Sequence, residues 1–305
     1  MGMKGSWGAF CRAVSVALGA GMLLGLAGCS HLEARQREAI YRPTPGVPAD
    51  FPGLRAPDES FFLPVTSPAT ARLIGGERLP PGAPQSLHLW WLPQAAGPGP
   101  SLLYLHGTFR NLYRNQPKIE ALRQAGFAVL AVDYRGWGAS TPLSPSEASI
   151  LEDARLAWTE FTRRVPDARQ RVIYGHSMGG GVAVALAAGL RYPQDYAALV
   201  LESTFTSLPD VAASAGLLGR LGAALTTERM NSLERIGAVQ APLLMLHGTH
   251  DTTVPLALGR RLFEAARMTD KTWVPIEGGL HSSLQSDAPA LYQQTLRGLA
   301  ERLQR

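Results

Sequence analysis

Three side chains that could together cleave an acyl bond stand far apart in the chain: Ser177, Asp251 and His281. Ser177 is the centre of a Gly-x-Ser-x-Gly pattern, preceded by a short β-branched and aromatic run and followed by a long Ala/Leu/Val segment. Strand, tight turn and helix in this order lift a serine hydroxyl above a sheet and place a helix N-terminus behind it. Because serine alone is a weak nucleophile, the pattern predicts a histidine base and an acid later in the chain.

Both partners follow apolar runs that we expect to be strands. Asp251 comes after residues 243–246, and His281 lies in a Gly-rich loop after residues 272–276. We expect Asp251 to hold His281 in the correct tautomer, and His281 to accept the Ser177 proton and return it to the leaving group. Glu202, at the end of the strand after the nucleophile helix, is the alternative acid. The positions of the other histidines favour structural roles.

The negative charge that develops on the substrate oxygen needs hydrogen-bond donors. The backbone N–H of Met178, at the start of the nucleophile helix, is the first predicted donor. The second is the backbone N–H of Thr108, which follows the apolar strand at residues 102–105. Together we expect these amides to contribute about 10²- to 10³-fold in rate.

The first thirty residues indicate export. Lys4 and Arg12 precede an uncharged run over residues 13–28, which is short and glycine-rich for a membrane span and ends directly before Cys29. This segment resembles a bacterial lipoprotein signal with its lipobox. The resemblance implies a signal peptide over residues 1–28, lipidation of Cys29, and an extracytoplasmic location on a membrane. In a Gram-negative host, Ser30 implies the outer membrane. The Pro-rich residues 29–58 predict a semi-rigid tether.

Composition limits the partners. The net charge of +5 includes Lys4 and Arg12, so about +3 remains after cleavage, too little and too scattered for nucleic acid. The 46% hydrophobic content of the 305 residues is enough for a sizeable core. We expect a monomer.

Residues 59–305 predict one α/β domain. Residues 61–65, 72–74 and 87–92 favour an opening antiparallel meander, and alternating apolar strands and helices follow, which is typical of a mostly parallel sheet with helices on both faces. Asp133 is expected to pair with Arg135. Residues 203–242 predict a short insertion of about two helices in place of a cap domain. Its nearly uncharged part, residues 211–225, could line an acyl pocket, face a membrane or pack as core.

Five motifs together resemble the compact α/β-hydrolases of the serine aminopeptidase and lysophospholipase-like group. They are His106-Gly107-Thr108, Asp133-Tyr134-Arg135-Gly136-Trp137-Gly138, Gly175-His176-Ser177-Met178-Gly179-Gly180, Glu202-Ser203-Thr204-Phe205 and His247-Gly248-Thr249-His250-Asp251.

The resemblance implies a serine hydrolase with no metal and no organic cofactor. Its substrate would be a small-molecule or lipid carboxylic ester or acyl thioester. Two alternatives stay open. A peptidase of the aminopeptidase type would need an acidic clamp for a substrate amine, with Asp210, Glu228 and Glu234 as the candidates. A non-catalytic lipoprotein could instead use the fold as a binding module.

Overall fold

The computed structural model describes residues 33–67, 71–94, 99–108 and 110–305. The predicted signal peptide and Cys29 lie outside the described residues. Eight strands form one sheet in the order β1-β4-β6-β5-β7-β8-β9-β10, and β2 pairs only with β3. The strands are β1 (Glu59–Thr66), β2 (Ala71–Arg72), β3 (Arg78–Leu79), β4 (Pro84–Leu92), β5 (Ser101–Leu105), β6 (Ala128–Asp133), β7 (Arg171–His176), β8 (Ala198–Glu202), β9 (Leu243–Gly248) and β10 (Lys271–Ile276).

Helices cover both faces of this sheet. The described helices are α1 (33–41), α2 (Leu112–Gln124), α3 (Glu147–Arg164), α4 (Met178–Ala187), α5 (Leu208–Ser214), α6 (Leu217–Leu225), α7 (Ser232–Ile236), α8 (Leu256–Ala265), α9 (Leu284–Asp287) and α10 (Pro289–Leu303). The insertion between β8 and β9 therefore carries three short helices, α5 to α7, where the sequence predicted about two.

The sheet separates two apolar clusters because successive side chains of a strand point to opposite faces. In β5, Leu103 and Leu105 belong to the cluster that includes α3 and α4, whereas Leu102 and Tyr104 belong to the cluster that includes α2 and α10. The strands β5 to β10 are parallel to one another, and β4 pairs antiparallel with both β6 and β1. The prediction of a mostly parallel sheet with helices on both faces is thus confirmed.

The opening meander differs from its prediction. Residues 71–72 leave the main sheet and pair with residues 78–79, since the turn at Gly75-Gly76 folds this segment back on itself. The main sheet instead takes β1 and β4 as neighbours, with Phe61 opposite Leu89.

The predicted tether is wrong for residues 33–58, which lie against the domain. Residues 33–41 are helical, and Tyr41 is completely buried. Phe51 stacks on Trp90 with ring centroids 5.4 Å apart. The prolines of this segment suggested a spacer, but its aromatic side chains supply apolar surface that the domain buries. In the described residues, no helix has the length and apolar character needed to cross a membrane.

Candidate active site

Ser177 occupies the sharp turn between β7 and α4. Its φ of 55° and ψ of -121° are a strained combination for a residue with a side chain. Neighbouring bonds hold it there: the Ser177 N–H donates to the Glu202 carbonyl at 2.9 Å, and the Thr204 hydroxyl donates to the Ser177 carbonyl at 2.9 Å. Glycine is required beside it, because a Cβ at Gly179 would lie 1.9 Å from the Leu105 carbonyl oxygen.

His281 connects Ser177 to Asp251. The Ser177 hydroxyl lies 2.9 Å from His281 Nε2, and His281 Nδ1 lies 2.8 Å from Asp251 Oδ2. A carboxylate only accepts, so Nδ1 carries the proton and Nε2 is left to accept from Ser177. All three side chains lie at the C-terminal edge of the parallel strands and are largely buried. The structure therefore brings together the serine, histidine and aspartate that the sequence singled out.

Asp251 is kept ionised by its surroundings. Burial opposes its charge, but hydrogen bonds from His247 and His281 outweigh burial and lower the pKa of Asp251 below its usual range. Its second oxygen, Oδ1, accepts the amides of Thr253 and Val254 at 2.9 and 2.8 Å. These bonds fix the carboxylate at the edge of the His281 ring.

Glu202 is engaged elsewhere. Its buried carboxylate accepts hydrogen bonds from the Lys118 ammonium and the Tyr174 hydroxyl, and from the Tyr292 hydroxyl at 3.0 Å. Lys118 Nζ also donates to Gln285 Oε1 in α9 at 2.8 Å. Burial opposes the Glu202 charge, yet the Lys118 charge more than compensates and lowers the pKa of Glu202. Among the described residues, Glu202 makes no hydrogen bond to His281, so the geometry favours Asp251 as the acid.

His176 supports the base from the other side. Its Nε2 lies 2.9 Å from the His281 carbonyl oxygen, to which a neutral ring can donate. Burial, reinforced by the Lys118 charge, lowers the pKa of His176 to about 3. His176 is therefore neutral at physiological pH and does not compete with His281 as a base.

The two predicted oxyanion donors, the amides of Met178 and Thr108, belong to segments next to Ser177. Met178 is the first residue of α4, where helix amides lack intrahelical partners. Gly107 lies against the nucleophile, since a Cβ added there would be 2.9 Å from the Ser177 Cβ, and Thr108 follows it at the cleft wall. Within the described chain, neither the Met178 nor the Thr108 amide donates to a backbone carbonyl. Met178 and Thr108 therefore remain the predicted oxyanion donors, and their amides are left without a backbone acceptor in the described chain.

The cleft over Ser177 is small, about 190 Å³. Arg110 and Asn115 line it beside Ser177 and His281. Among the described residues, no carboxylate forms an ion pair with Arg110. No sequence pattern marked this arginine as a cleft residue, although it lies only two residues after Thr108. A larger groove of about 1360 Å³ beside α1 and α3 contains neither Ser177 nor His281.

No group of three or more His, Cys, Asp or Glu side chains that could hold a metal ion occurs among residues 33–67, 71–94, 99–108 and 110–305.

Asp133 does not pair with Arg135 as predicted. It accepts the Leu112 amide at 2.9 Å, and Arg135 instead pairs with Asp153 at 2.7 Å.

The sequence matches the family model described as serine aminopeptidase, S33, over residues 98–233 and 216–287. An uncharacterized protein of Mycobacterium tuberculosis is 34% identical over 252 residues, which cover 82% of this chain and 81% of that protein. A lysophosphatidylserine lipase of Danio rerio is 33% identical over 194 residues, covering 58% of this chain and 50% of the lipase.

Solved structures share the fold. An esterase of Pyrococcus furiosus superposes with a TM-score of 0.64 at 17% identity, covering 86% of this chain and 97% of the esterase. A monoacylglycerol lipase of Paleococcus ferrophilus gives a TM-score of 0.51 at 22% identity, covering 72% of this chain and 98% of the lipase. The expected α/β-hydrolase fold is thereby confirmed.

Proposed function

The chain belongs to the serine aminopeptidase (S33) family of α/β-hydrolases, and we propose that it is a serine hydrolase that cleaves a carboxylic ester or acyl thioester through an acyl-Ser177 intermediate. The observation that carries this proposal is the continuous hydrogen-bonded series from the Ser177 hydroxyl through His281 to Asp251.

In the proposed reaction, His281 Nε2 removes the Ser177 proton as Oγ attacks the substrate carbonyl carbon. The oxyanion accepts hydrogen bonds from the Met178 and Thr108 amides, and Asp251 stabilises the imidazolium that forms on His281. The tetrahedral intermediate collapses, the C–O or C–S bond breaks, and His281 protonates the leaving group. Water, activated by His281, then attacks the acyl-serine and releases the carboxylic acid.

The test uses a fluorescent fluorophosphonate together with nitrophenyl esters of about two to sixteen acyl carbons. We expect labelling and turnover in the parent chain and neither in Ser177→Ala. Ser203→Ala is the matched control, since Ser203 is also buried and follows the adjacent strand. Labelling that persists in Ser177→Ala, or a folded parent chain that is never labelled, would contradict the proposal.

Arg110 favours an ester whose leaving group carries negative charge. A cation in a small, partly buried cleft attracts an anion and repels an ammonium group. Similarity to a lysophosphatidylserine lipase supports the same substrate class, an anionic single-chain lipid. We therefore propose that Arg110 contacts the charged head group while the acyl carbonyl lies at Ser177.

This assignment is tested with two lipids of the same acyl chain, anionic lysophosphatidylserine and uncharged monoacylglycerol. Arg110→Gln should lower kcat/KM for the anionic lipid about tenfold and leave the uncharged lipid nearly unchanged. Arg114→Gln, an exposed arginine four residues later, is the control and should change neither. Equal losses on both lipids would contradict a role in head-group binding.

A peptidase of the aminopeptidase type is the second candidate, because its family model is the one that matches. Two of the three residues considered for an amine clamp argue against it. Glu228 is occupied by Arg37 and Tyr41, and Asp210 accepts a hydrogen bond from Thr206 at 2.5 Å.

Labelling by the fluorophosphonate with turnover of aminoacyl amides but not of esters would favour the peptidase. A chain that binds lipid without labelling would favour the non-catalytic module.

We also propose that Cys29 is lipidated and attaches the domain to a bacterial membrane on its extracytoplasmic side. The support is the sequence pattern of residues 4–29. Metabolic labelling with a palmitate analogue should mark the parent chain and not Cys29→Ser, with Cys11→Ser as the matched control. Equal labelling of the parent chain and Cys29→Ser would contradict lipidation at this site.

A further inference from the structure

Helix α6 points three leucine side chains outward. Leu217, Leu221 and Leu225 follow each other at intervals of four residues and are 75%, 57% and 78% exposed. At about 100° per residue, they fall on one side of the helix. Residues that soluble proteins usually bury therefore form a continuous exposed face, which we call the α6 leucine face.

The opposite side of α6 is made of small residues. Gly219 is pressed against α5, since a Cβ there would lie 1.9 Å from the Ala212 carbonyl oxygen, and Ala223 is buried. This places glycine and alanine inside and leucine outside, the reverse of an ordinary surface helix. The leucine face is therefore not explained by packing within the domain, and it fits an apolar partner.

The surrounding charge suits a lipid surface. Arg220, at the border of the leucine face, is exposed and is the sole charged residue in α6. A helix with leucines on one side and a flanking basic residue can lie in the interface of a bilayer, with the leucines among the acyl chains and the arginine at the phosphates.

The N-terminal segment brings the membrane to this face. Arg37 and Tyr41 of α1 bind Glu228 at 2.8 and 2.5 Å, and Glu228 stands three residues after the end of α6. Cys29 precedes Arg37 by eight residues, a span of at most roughly 28 Å. A lipid anchor at Cys29, or the apolar run before it, therefore enters the bilayer close to α6.

We propose that the α6 leucine face docks on the surface of the membrane that holds the N-terminus. The inference rests on the membrane attachment proposed above and deepens it. The insertion that carries α6 begins directly after β8, at the same edge of the sheet as Ser177. Docking would thus bring the small catalytic cleft to the lipid surface, where a single-chain lipid can reach Ser177 without leaving the bilayer completely.

The experiment places a tryptophan in the face of the full chain bound to vesicles of phosphatidylcholine and phosphatidylglycerol with brominated acyl chains. The emission that Leu221→Trp adds to that of the parent chain should be about half as intense on brominated vesicles as on unbrominated vesicles of the same lipids. Leu291→Trp is the matched control: Leu291 is exposed on α10, which packs on the other sheet face, and its emission should not change.

Other outcomes separate the alternatives. Equal emission of Leu221→Trp in brominated and ordinary vesicles overturns the proposal. So does a shift of its emission that depends on protein concentration, which would indicate a second copy of the chain on α6. Quenching without fluorophosphonate labelling supports the docked face while contradicting the proposed serine hydrolase.

A second variant tests the consequence for catalysis. Replacing Leu217, Leu221 and Leu225 together by serine should lower turnover of a lysolipid in vesicles about tenfold and leave turnover of a water-soluble acetate ester unchanged. Retained acetate turnover shows that the variant is folded. Undiminished turnover in vesicles overturns the proposal.

Discussion

Lys118→Met should destabilise the protein by several kcal/mol, to a degree that depends on pH. Lys118 and Glu202 are buried partners, with side chains 2% and 0% exposed. Removing the ammonium leaves a carboxylate with two tyrosine donors and no cation. Breaking a buried ion pair in this way costs about 3–5 kcal/mol, because the remaining charge is desolvated without compensation.

The magnitude follows from the proton that Glu202 must then bind. In the parent chain, Lys118 lowers the pKa of Glu202, so this carboxylate contributes stability at neutral pH that is lost as the pH falls. In Lys118→Met, burial raises the folded pKa above the unfolded value, so stability is lost as the pH rises. Folding with a neutral carboxyl costs about 1.4 kcal/mol per pH unit above the unfolded pKa of 4.5, which is about 3.4 kcal/mol at pH 7 and about 1.4 kcal/mol at pH 5.5.

Urea unfolding at pH 7 and pH 5.5 measures this difference. We expect Lys118→Met to lose about 2 kcal/mol more at pH 7 than at pH 5.5, relative to the parent chain at the same pH. Adding Glu202→Gln should restore most of the loss. Lys271→Met is the matched control, because within the described part of the chain Lys271 binds the carbonyls of Phe263 and Ala266 and no carboxylate. A loss that is equal at both pH values, or a double variant as unstable as Lys118→Met, would refute the reasoning.

Three further predictions concern the site and its supports. Asp251→Asn should lower kcat about 10⁴-fold on a nitrophenyl ester, because the amide no longer holds the tautomer of His281; a loss below about tenfold would contradict the assigned acid. The NMR chemical shifts of the carbon-bound ring protons of His176 should stay constant from pH 5 to pH 8, because the pKa of His176 is lowered to about 3. A change of these shifts in that range would show that the ring becomes charged. Glu228→Gln should lower the free energy of unfolding in urea by about 1–3 kcal/mol, because Glu228 binds Arg37 and Tyr41; an unchanged value would contradict anchoring of α1.

Local patterns predicted the elements that local rules govern. The run Val172 to Tyr174 before the glycine turn predicted β7, and local bonds between Ser146 and Ser149 cap the start of α3. The order of acid and histidine after the nucleophile also predicted which three side chains the structure brings together. These signals depend on neighbours within a few residues, or on the fixed order of strands in the sheet, and a single sequence contains both.

Pairings between distant segments left no such signal. Lys118 and Glu202 are 84 residues apart, and Tyr41 and Glu228 are 187 residues apart. Nothing near Tyr41 in the sequence indicates that it binds a buried carboxylate, so the prolines around it predict a tether where the structure has α1. Proximity in sequence likewise predicts that Arg135 pairs with Asp133, whereas helix α3 brings Asp153 against Arg135.

Contacts of the N-terminal segment bear on how the site would face a membrane. Glu228 joins Tyr41 of α1 to the first amide of α3, since the Glu147 N–H donates to it at 2.6 Å. Glu147 in turn accepts the Met230 amide at 2.7 Å, and Met230 packs on Gly181 of the nucleophile helix. A flexible tether would let the domain rotate freely above the bilayer. The contacts from α1 through Glu228, Glu147 and Met230 to α4 instead hold α1 in a fixed position relative to Ser177, so lipidation at Cys29 would keep the catalytic cleft close to the bilayer.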